Sequence, residues 1–217
     1  MRAVSGSTRR PRRAGTRGMP RERREQLILE VAGAVFAREG YHPASMDEIA
    51  EAAGVSKPML YTYFGSKEGL YLAYIERSGG ELLERLVAAA PPDDQSTAGL
   101  RARITEFLAF VEEHADGWRV LFRELASTRQ FADRVAALRA RIVDAIRRMI
   151  ETGPGTRDIY AGAAADAIAH AIVGAGESLA NWWLDHPEIP RETVAGWYLQ
   201  VVRAVLAGTA HGTAAEA

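Results

Sequence analysis

The side chains best placed for chemistry lie between Ala44 and Leu70, in the run A-S-M-D-E-I-A-E-A-A-G-V-S-K-P-M-L-Y-T-Y-F-G-S-K-E-G-L. Within it Lys57 and Tyr61 stand four apart and share a helical face, with Met59 and Tyr63 on its flanks. Leu60 and Phe64 share another face. Lys, Tyr and Ser side chains, like helix N-termini, donate hydrogen bonds to phosphate oxygens, so this pattern suits a helix that packs on one side and meets a nucleic acid on the other. The chain offers little to a covalent reaction. It has no G-x-S-x-G, HExxH or Walker pattern, and Gly65-Ser66-Lys67 is too short for a phosphate loop. Without cysteine there are no disulfides and no thiolate metal sites. Asp166 and His170, at i and i+4, and the group Glu112, Glu113, His114 and Asp116 have metal-ligand chemistry. Such groups more often serve as helix salt bridges or surface charge. No cofactor, metal or enzymatic activity is expected.

Three short elements must hold the donors. Ser45 followed by Glu48 reads as a capping box opening a helix with Met46, Ile49 and Ala53 on one face. Gly54 ends it, because glycine takes the left-handed turn without a side-chain clash. Val55 fills the corner, Ser56 caps the next helix, and Pro58 is tolerated in its first turn. Gly65 ends that helix and Ser66 caps a third, with Lys67 and Glu68 in its first turn. Two helices about a glycine turn fit a helix-turn-helix, whose second helix reads DNA with its N-terminal residues. An ordinary helical hairpin has the same periodicity. The outer face of exposed tyrosines and lysines decides against it, since a core has little use for them.

The run from Ile49 to Leu70 closely resembles the DNA-binding domain of the tetracycline-repressor-like (TetR) family of bacterial transcription regulators. The G-V-S turn, the Y-x-Y-F that closes the second helix and the S-K-E-x-L that opens the next carry the resemblance. It implies an all-α protein, with an N-terminal three-helix helix-turn-helix domain over 21–67 and a helical ligand-binding and dimerisation domain over 68–217. It further implies a homodimer on a near-palindromic operator in double-stranded DNA, released as a repressor by a small apolar effector. On this reading phosphate contacts come from Ser45, Tyr61, Tyr63 and Lys67, the last acting with the helix N-terminus capped by Ser66. Lys57, Pro58 and Met59 face base edges, Lys57 donating to guanine and the other two touching thymine methyls. Tyr63 is also in reach of a base.

Composition agrees with a helical, cytoplasmic protein. The 217 residues suffice for one or two domains, the sequence favours helix formers, and alternating strand patterns are absent. No apolar run would span a bilayer, and Arg9-Arg10 lacks the apolar segment of an export signal. The net charge of −1 hides an asymmetry. Residues 1–20 hold Arg2, Arg9, Arg10, Arg12, Arg13 and Arg17 and no acid, which leaves 21 basic against 28 acidic residues elsewhere, a balance of −7. Such an arm is either a solvated tail or a segment that follows the DNA backbone or enters the minor groove.

From Arg21 to Glu39 the residues Leu27, Ile28, Val31, Ala32, Val35 and Phe36 recur at helical spacing, and Arg23 and Arg24 near the start are in reach of phosphate. A long helix follows Lys67 to about Ala90, with Leu70, Tyr74, Leu82, Leu83 and Leu86 inward. Gly79-Gly80 in it is either a hinge or, better, a packing point. Further helices are expected over 96–114, 116–127, 130–151, 157–185 and 190–207. Phe107, Phe110, Trp118, Phe122 and Phe131 cluster in the first three, as core or as the wall of an apolar pocket. Over 157–185 one stripe is Ile168, Ile172, Leu179 and Trp183; the opposite stripe is Asp166, His170, Gly174, Glu177 and Asn181. The polar stripe is either a dimer seam, with Gly174 and Gly176 allowing close contact across a two-fold axis, or the source of Glu177 and Asn181 as orienting groups for the ligand. Two rival readings remain: a helical enzyme or carrier with a vestigial DNA-binding head, and an architectural DNA-binding protein. The first lacks catalytic motifs, and the acidic body argues against the second.

Overall fold

The computed structural model describes residues 18–91, 93–119, 129–154, 156 and 159–207. Among them every regular element is an α-helix: α1 Arg21–Glu39, α2 Met46–Ala53, α3 Lys57–Phe64, α4 Lys67–Ala88, α5 Thr97–Glu113, α6 Ala115–Arg119, α7 Arg129–Thr152, α8 Ala163–Trp183 and α9 Arg191–Ala207. None of the described helices is long and apolar enough to cross a membrane. The arginines expected to form an N-terminal arm, Arg2 to Arg17, fall outside the described residues.

The helices fall into two compact units, Met1–Tyr74 and Ile75–Ala217, so α4 contributes to both. The division lies beyond position 67 because the first turns of α4 complete the N-terminal core. Leu70 and Tyr71 are wholly buried there, and the Tyr71 ring stands edge-on to Phe36 and Tyr41 at about 5 Å. The buried face of α1 is also rotated from the expected stripe. Leu29 and Gly33 lie inside, while Leu27 and Val31 are half-buried. A Cβ on Gly33 would meet the Tyr74 ring at 2.5 Å, so its absence lets that ring lie against α1.

Local signals end the short helices much as their residues suggest. Ser45 Oγ accepts from the Asp47 amide at 3.2 Å, and Ser56 Oγ from the Met59 amide at 3.3 Å. The reciprocal half of the Ser45–Glu48 box is not formed, because Glu48 pairs with Arg38 of α1. Gly54 takes φ 67°, and the amides of Gly54 and Val55 return to the carbonyls of Glu51 and Ala50. The junction of α3 and α4 is tighter still. Ser66 Oγ accepts from the Gly69 amide at 3.0 Å, and a Cβ at Gly69 would stand 2.0 Å from the Phe64 carbonyl oxygen.

In the second unit α5 packs on α9 and α8 on both α7 and α9. Leu108, Val111, Ala165, Ala169, Val194 and Tyr198 are among the buried residues of that core. Gly79 is a packing point, since a Cβ there would lie 2.2 Å from Leu138. Residues 120–128 lie outside the described set, so the helix expected over 116–127 is seen only as α6. The helix expected from 157 begins at Ala163, after Gly162 at φ 55°. Before it the Thr156 hydroxyl sits within hydrogen-bond distance of the Ile150 carbonyl and Gln95 Oε1.

Arg103 is the unforeseen element of this core. It is a buried cation whose guanidinium donates to the carbonyls of Asp94 at 2.7 Å, Ala90 at 3.1 Å and Pro91. Burial pulls its pKa down, and the charges of Asp94 and Asp93 oppose that shift. It thus satisfies carbonyls in the turn that follows α4, where no helix supplies partners. Arg103→Met, which keeps the length and loses the donors, is expected to cost about 2–3 kcal/mol and to lower the melting temperature by roughly 5–10 °C in a circular-dichroism melt.

Candidate functional site

The outer face of α3 is built on a single buried side chain. Leu60 is wholly buried, while Lys57, Pro58, Tyr61 and Thr62 are exposed and Met59, Tyr63 and Phe64 lie between. Lys57 projects from the first turn and Tyr61 follows it one turn later on the same side. The Thr62 hydroxyl is turned back on the Pro58 carbonyl at 2.9 Å and leaves the face to its neighbours. Ser45, at the start of α2, is exposed as well.

Three of the expected donors, Lys57, Tyr63 and Lys67, are already held by neighbours. Lys57 Nζ donates to Asp47 Oδ2 at 2.8 Å, and this bond and the Asp47 charge raise the lysine pKa. Tyr63 joins α3 to α1: its hydroxyl accepts from Arg24 Nη1 at 3.1 Å, and the Arg21 guanidinium lies 5.3 Å from its ring centroid. Tyr63 therefore keeps its own proton to donate, at the centre of a small basic patch. Lys67, expected at phosphate, meets backbone in the DNA-free chain. Its ammonium donates to three backbone carbonyls, of Tyr41 at 2.9 Å, His42 at 2.9 Å and Ala44 at 3.2 Å. With three protons to give, it has none left over in this arrangement. Asp47 and Arg21 were not singled out in the sequence. Asp47 and Lys57 are ten positions apart on different helices, and no local pattern links them.

The residues expected at an effector site separate into two groups. Phe107, Trp118, Glu177 and Asn181 come together around Tyr198. Phe107 lies 5.8 Å from Trp118 and 6.2 Å from Tyr198 between ring centroids. Trp118 Nε1 donates to Asn181 Oδ1 at 3.1 Å, and Arg139 Nε to both oxygens of Glu177 at 3.0 Å. The Tyr198 hydroxyl donates to the Ile172 carbonyl at 2.7 Å. Burial, then the charge of Glu177, raises its pKa well above the ordinary phenol value, so it stays protonated. Phe110 lies in a second cluster, stacked on His114 at 4.2 Å and packed with Leu82 and Leu86, and Phe107 packs against that cluster as well. Phe122 lies outside the described residues. Neither Arg139 nor Tyr198 stood out in the sequence, since each gains meaning only from the helix packed opposite.

These contacts also reassign the polar stripe of α8. Glu177 and Asn181 bond to α7 and α6 of their own chain, and a Cβ at Gly176 would meet the Tyr198 hydroxyl of the same chain at 2.6 Å. The stripe is thus internal at that end, where Gly176 allows the close approach of Tyr198 of its own chain. Three of the exposed apolar residues lie on the other side of α8 and along α9: Trp182, Trp197 and Val201 are each 40–45% exposed, and the two indoles are 6.3 Å apart. The acids considered as metal ligands have cationic partners: Glu112 pairs with Arg191, Glu113 with Arg85 and Asp116 with Arg119, while Asp166 stands 3.6 Å from His170.

Two family models match this chain. That of the bacterial regulatory proteins of the tetR family covers residues 28–74, and that of the tetracyclin repressor-like C-terminal domain covers 97–205. The chain belongs to the TetR family. This TetR-family chain is 34% identical over 175 residues to the HTH-type transcriptional activator FasR of Mycolicibacterium smegmatis, across 80% of its own length and 78% of that protein. It is similar to the crystal structure of a TetR-like transcriptional regulator from Rhodococcus sp. RHA1, with 35% identity, a TM-score of 0.66, and 88% and 99% of the two chains covered. FadR of Bacillus subtilis, solved in complex with stearoyl-CoA, has the same fold at 17% identity, with a TM-score of 0.70 and coverage of 84% and 98%. The TetR-family match places α2 and α3 as the helix-turn-helix and the chain among DNA-binding regulators of transcription.

Asp47 is a carboxylate on the face that carries these donors, 69% exposed and bonded to the lysine of the reading helix. Asp47→Asn is expected to tighten binding to non-specific duplex. If the released Lys57 ammonium takes a phosphate, the log–log salt slope steepens by about 0.9. Fluorescence anisotropy across a salt series measures both.

Proposed function

We propose that this TetR-family chain is a dimeric repressor that binds a near-palindromic operator and leaves it when a small apolar ligand enters the C-terminal unit. The observation that carries the reading is the outer face of α3. A capped, two-turn helix keeps Lys57 and Tyr61 in solvent while its one buried residue, Leu60, anchors it. Lys57, Pro58 and Met59 at its N-terminal end address base edges. Ser45, Tyr61 and Tyr63 donate to the flanking phosphates, and Arg21 and Arg24 extend that contact along α1. The arginines of residues 1–20 would add to the salt dependence.

A second copy of the chain would cover Trp182, Trp197 and Val201 on α8 and α9. An exposed pair of indoles beside a valine is the kind of surface that self-association removes from water. Two heads related by a two-fold axis then require two half-sites of like sequence. The effector would lie against Phe107, Trp118 and Tyr198, with Glu177 and Asn181 among its polar neighbours. Its binding would change the placement of α4, and hence the spacing of the two heads, provided it prefers one of the two arrangements. Long acyl chains are the first class to test, given the stearoyl-CoA held by FadR. The activator FasR supports a second reading, in which the same operator binding recruits transcription rather than blocking it. The protein would act in the cytoplasm, where the operator lies.

A mobility-shift series tests the release step. Operator bound by the wild type should be freed by at least one acyl or other apolar ligand, and a complex indifferent to the whole series contradicts it. A reporter gene behind the operator separates the two signs of regulation, since deletion of the regulator raises expression under repression and lowers it under activation. Lys57→Ala is expected to relax preference at one base pair per half-site, by about 1–3 kcal/mol of discrimination, as read from competition with singly substituted operators.

A further inference from the structure

We propose that Phe107 is a positioning residue for effector-driven release: its ring is shared by the aromatic cluster at the effector site and by two leucines of α4, and it passes a displacement from one to the other. The proposal rests on the reading of Phe107, Trp118 and Tyr198 as the wall that an acyl chain meets, and concerns how that wall is joined to α4.

Two apolar clusters of the second unit meet at this ring. On one side Phe107 stands edge-on to Trp118 at 5.8 Å and tilted against Tyr198 at 6.2 Å between ring centroids. On the other it packs against the cluster of Leu82, Leu86 and Phe110. Leu82 and Leu86 are buried and four apart, so they lie on one face of α4. Ile142 of α7 borders both clusters too, but the ring contacts with Trp118 and Tyr198 belong to Phe107.

The walls around the ring differ in how firmly they are held. The Trp118 indole is tied to Asn181 at 3.1 Å, and the Tyr198 hydroxyl to the Ile172 carbonyl at 2.7 Å. Towards α8 the ring meets Gly176, where a Cβ would stand 3.5 Å from Phe107 Cε1, so it lies close over the helix backbone. A leucine side chain has no hydrogen bond to make, and Leu82 and Leu86 hold their places by packing. A close-packed interior passes strain on instead of absorbing it. An acyl chain that wedges between the ring and its pinned aromatic neighbours therefore drives the ring against α4.

α5 also sets how α4 responds. Arg103, four residues before Phe107, holds the carbonyls of Ala90, Pro91 and Asp94 in the turn that follows α4. That end is anchored by a buried cation. Nearer the start of α4 the pairs Arg85–Glu113 and Glu76–Arg134 reach into solvent and yield easily. A push at Leu82 and Leu86 thus becomes a swing of α4 about its Arg103 end.

The coupling is read as a ratio, the Kd for duplex selected by the wild type in saturating stearoyl-CoA over the Kd without it. Full-length wild type, Phe107→Leu, Leu82→Ala and the two combined are compared at a temperature where circular dichroism shows each chain folded. The expected result is a ratio that falls by about 2- to 30-fold in each single variant and no further in the combination, because both interrupt one contact. Leu82→Ala still binds stearoyl-CoA in calorimetry without DNA, which separates lost coupling from a lost site. Single-variant ratios equal to that of the wild type, or effects that add in the combination, overturn the proposal. A wild type that binds no stearoyl-CoA, or keeps its duplex in its presence, defeats the acyl reading of the site, and this proposal with it. The leucine methyl signals of the wild type need no variant: those of Leu82 and Leu86 shift on addition of stearoyl-CoA if the ring presses on α4, and their staying in place overturns the proposal.

Discussion

An eight-residue helix does not persist alone in water, where isolated helices shorter than about 12–15 residues are marginal. α3 has eight residues, so its existence and its direction both come from what surrounds it. Burying one leucine side chain contributes about 2–3 kcal/mol, and Leu60 is the only residue of α3 that is fully buried. The rest of the support is at the ends. The Ser56 hydroxyl accepts at the front, Gly65 returns its amide to the Tyr61 carbonyl at the back, and Gly69 lets α4 start against the Phe64 carbonyl. A helix held so sparingly leaves most of its surface uncovered by its own chain.

The structure places cations where non-helical backbone would otherwise lack partners. Lys67 gathers the carbonyls between α1 and α2, and Arg103 gathers those in the turn after α4. In both cases the charge meets backbone carbonyls of its own chain. Glu48 and Asp47 illustrate the same economy among acids, one tied to Arg38 and the other to Lys57. What remains exposed and uncommitted is correspondingly informative, and on α3 that is Tyr61 together with the lysine that Asp47 holds in waiting.

Local chemistry was legible in the sequence and long-range pairing was not. Ser45, Gly54, Ser56, Pro58 and Gly65 act within four residues of themselves, and their caps and turns form where their types suggest. The all-helical architecture followed from composition and periodicity, and the family from the motifs between Ile49 and Leu70. The face of α1 was off by a small rotation, because the contact of Gly33 with Tyr74 depends on a residue 41 positions away. The three carbonyls that Lys67 meets were not legible either, because they are 23 to 26 residues upstream. The polar stripe of α8 allowed either a subunit seam or a set of ligand-orienting groups, and its intrachain partners Arg139, Trp118 and Tyr198 lie on other helices that no local pattern links to it. Periodicity states which residues share a face, and only packing states what that face meets.

If the surface formed by α3 reads a defined DNA sequence, selection of bound duplexes from a random-sequence library by the full-length chain will show it. Enrichment of one motif with two-fold symmetry is expected, lost when Lys57 and Tyr61 are both replaced by alanine in the folded protein. Recovery of no motif, or of the same motif by the doubly substituted chain, would contradict it.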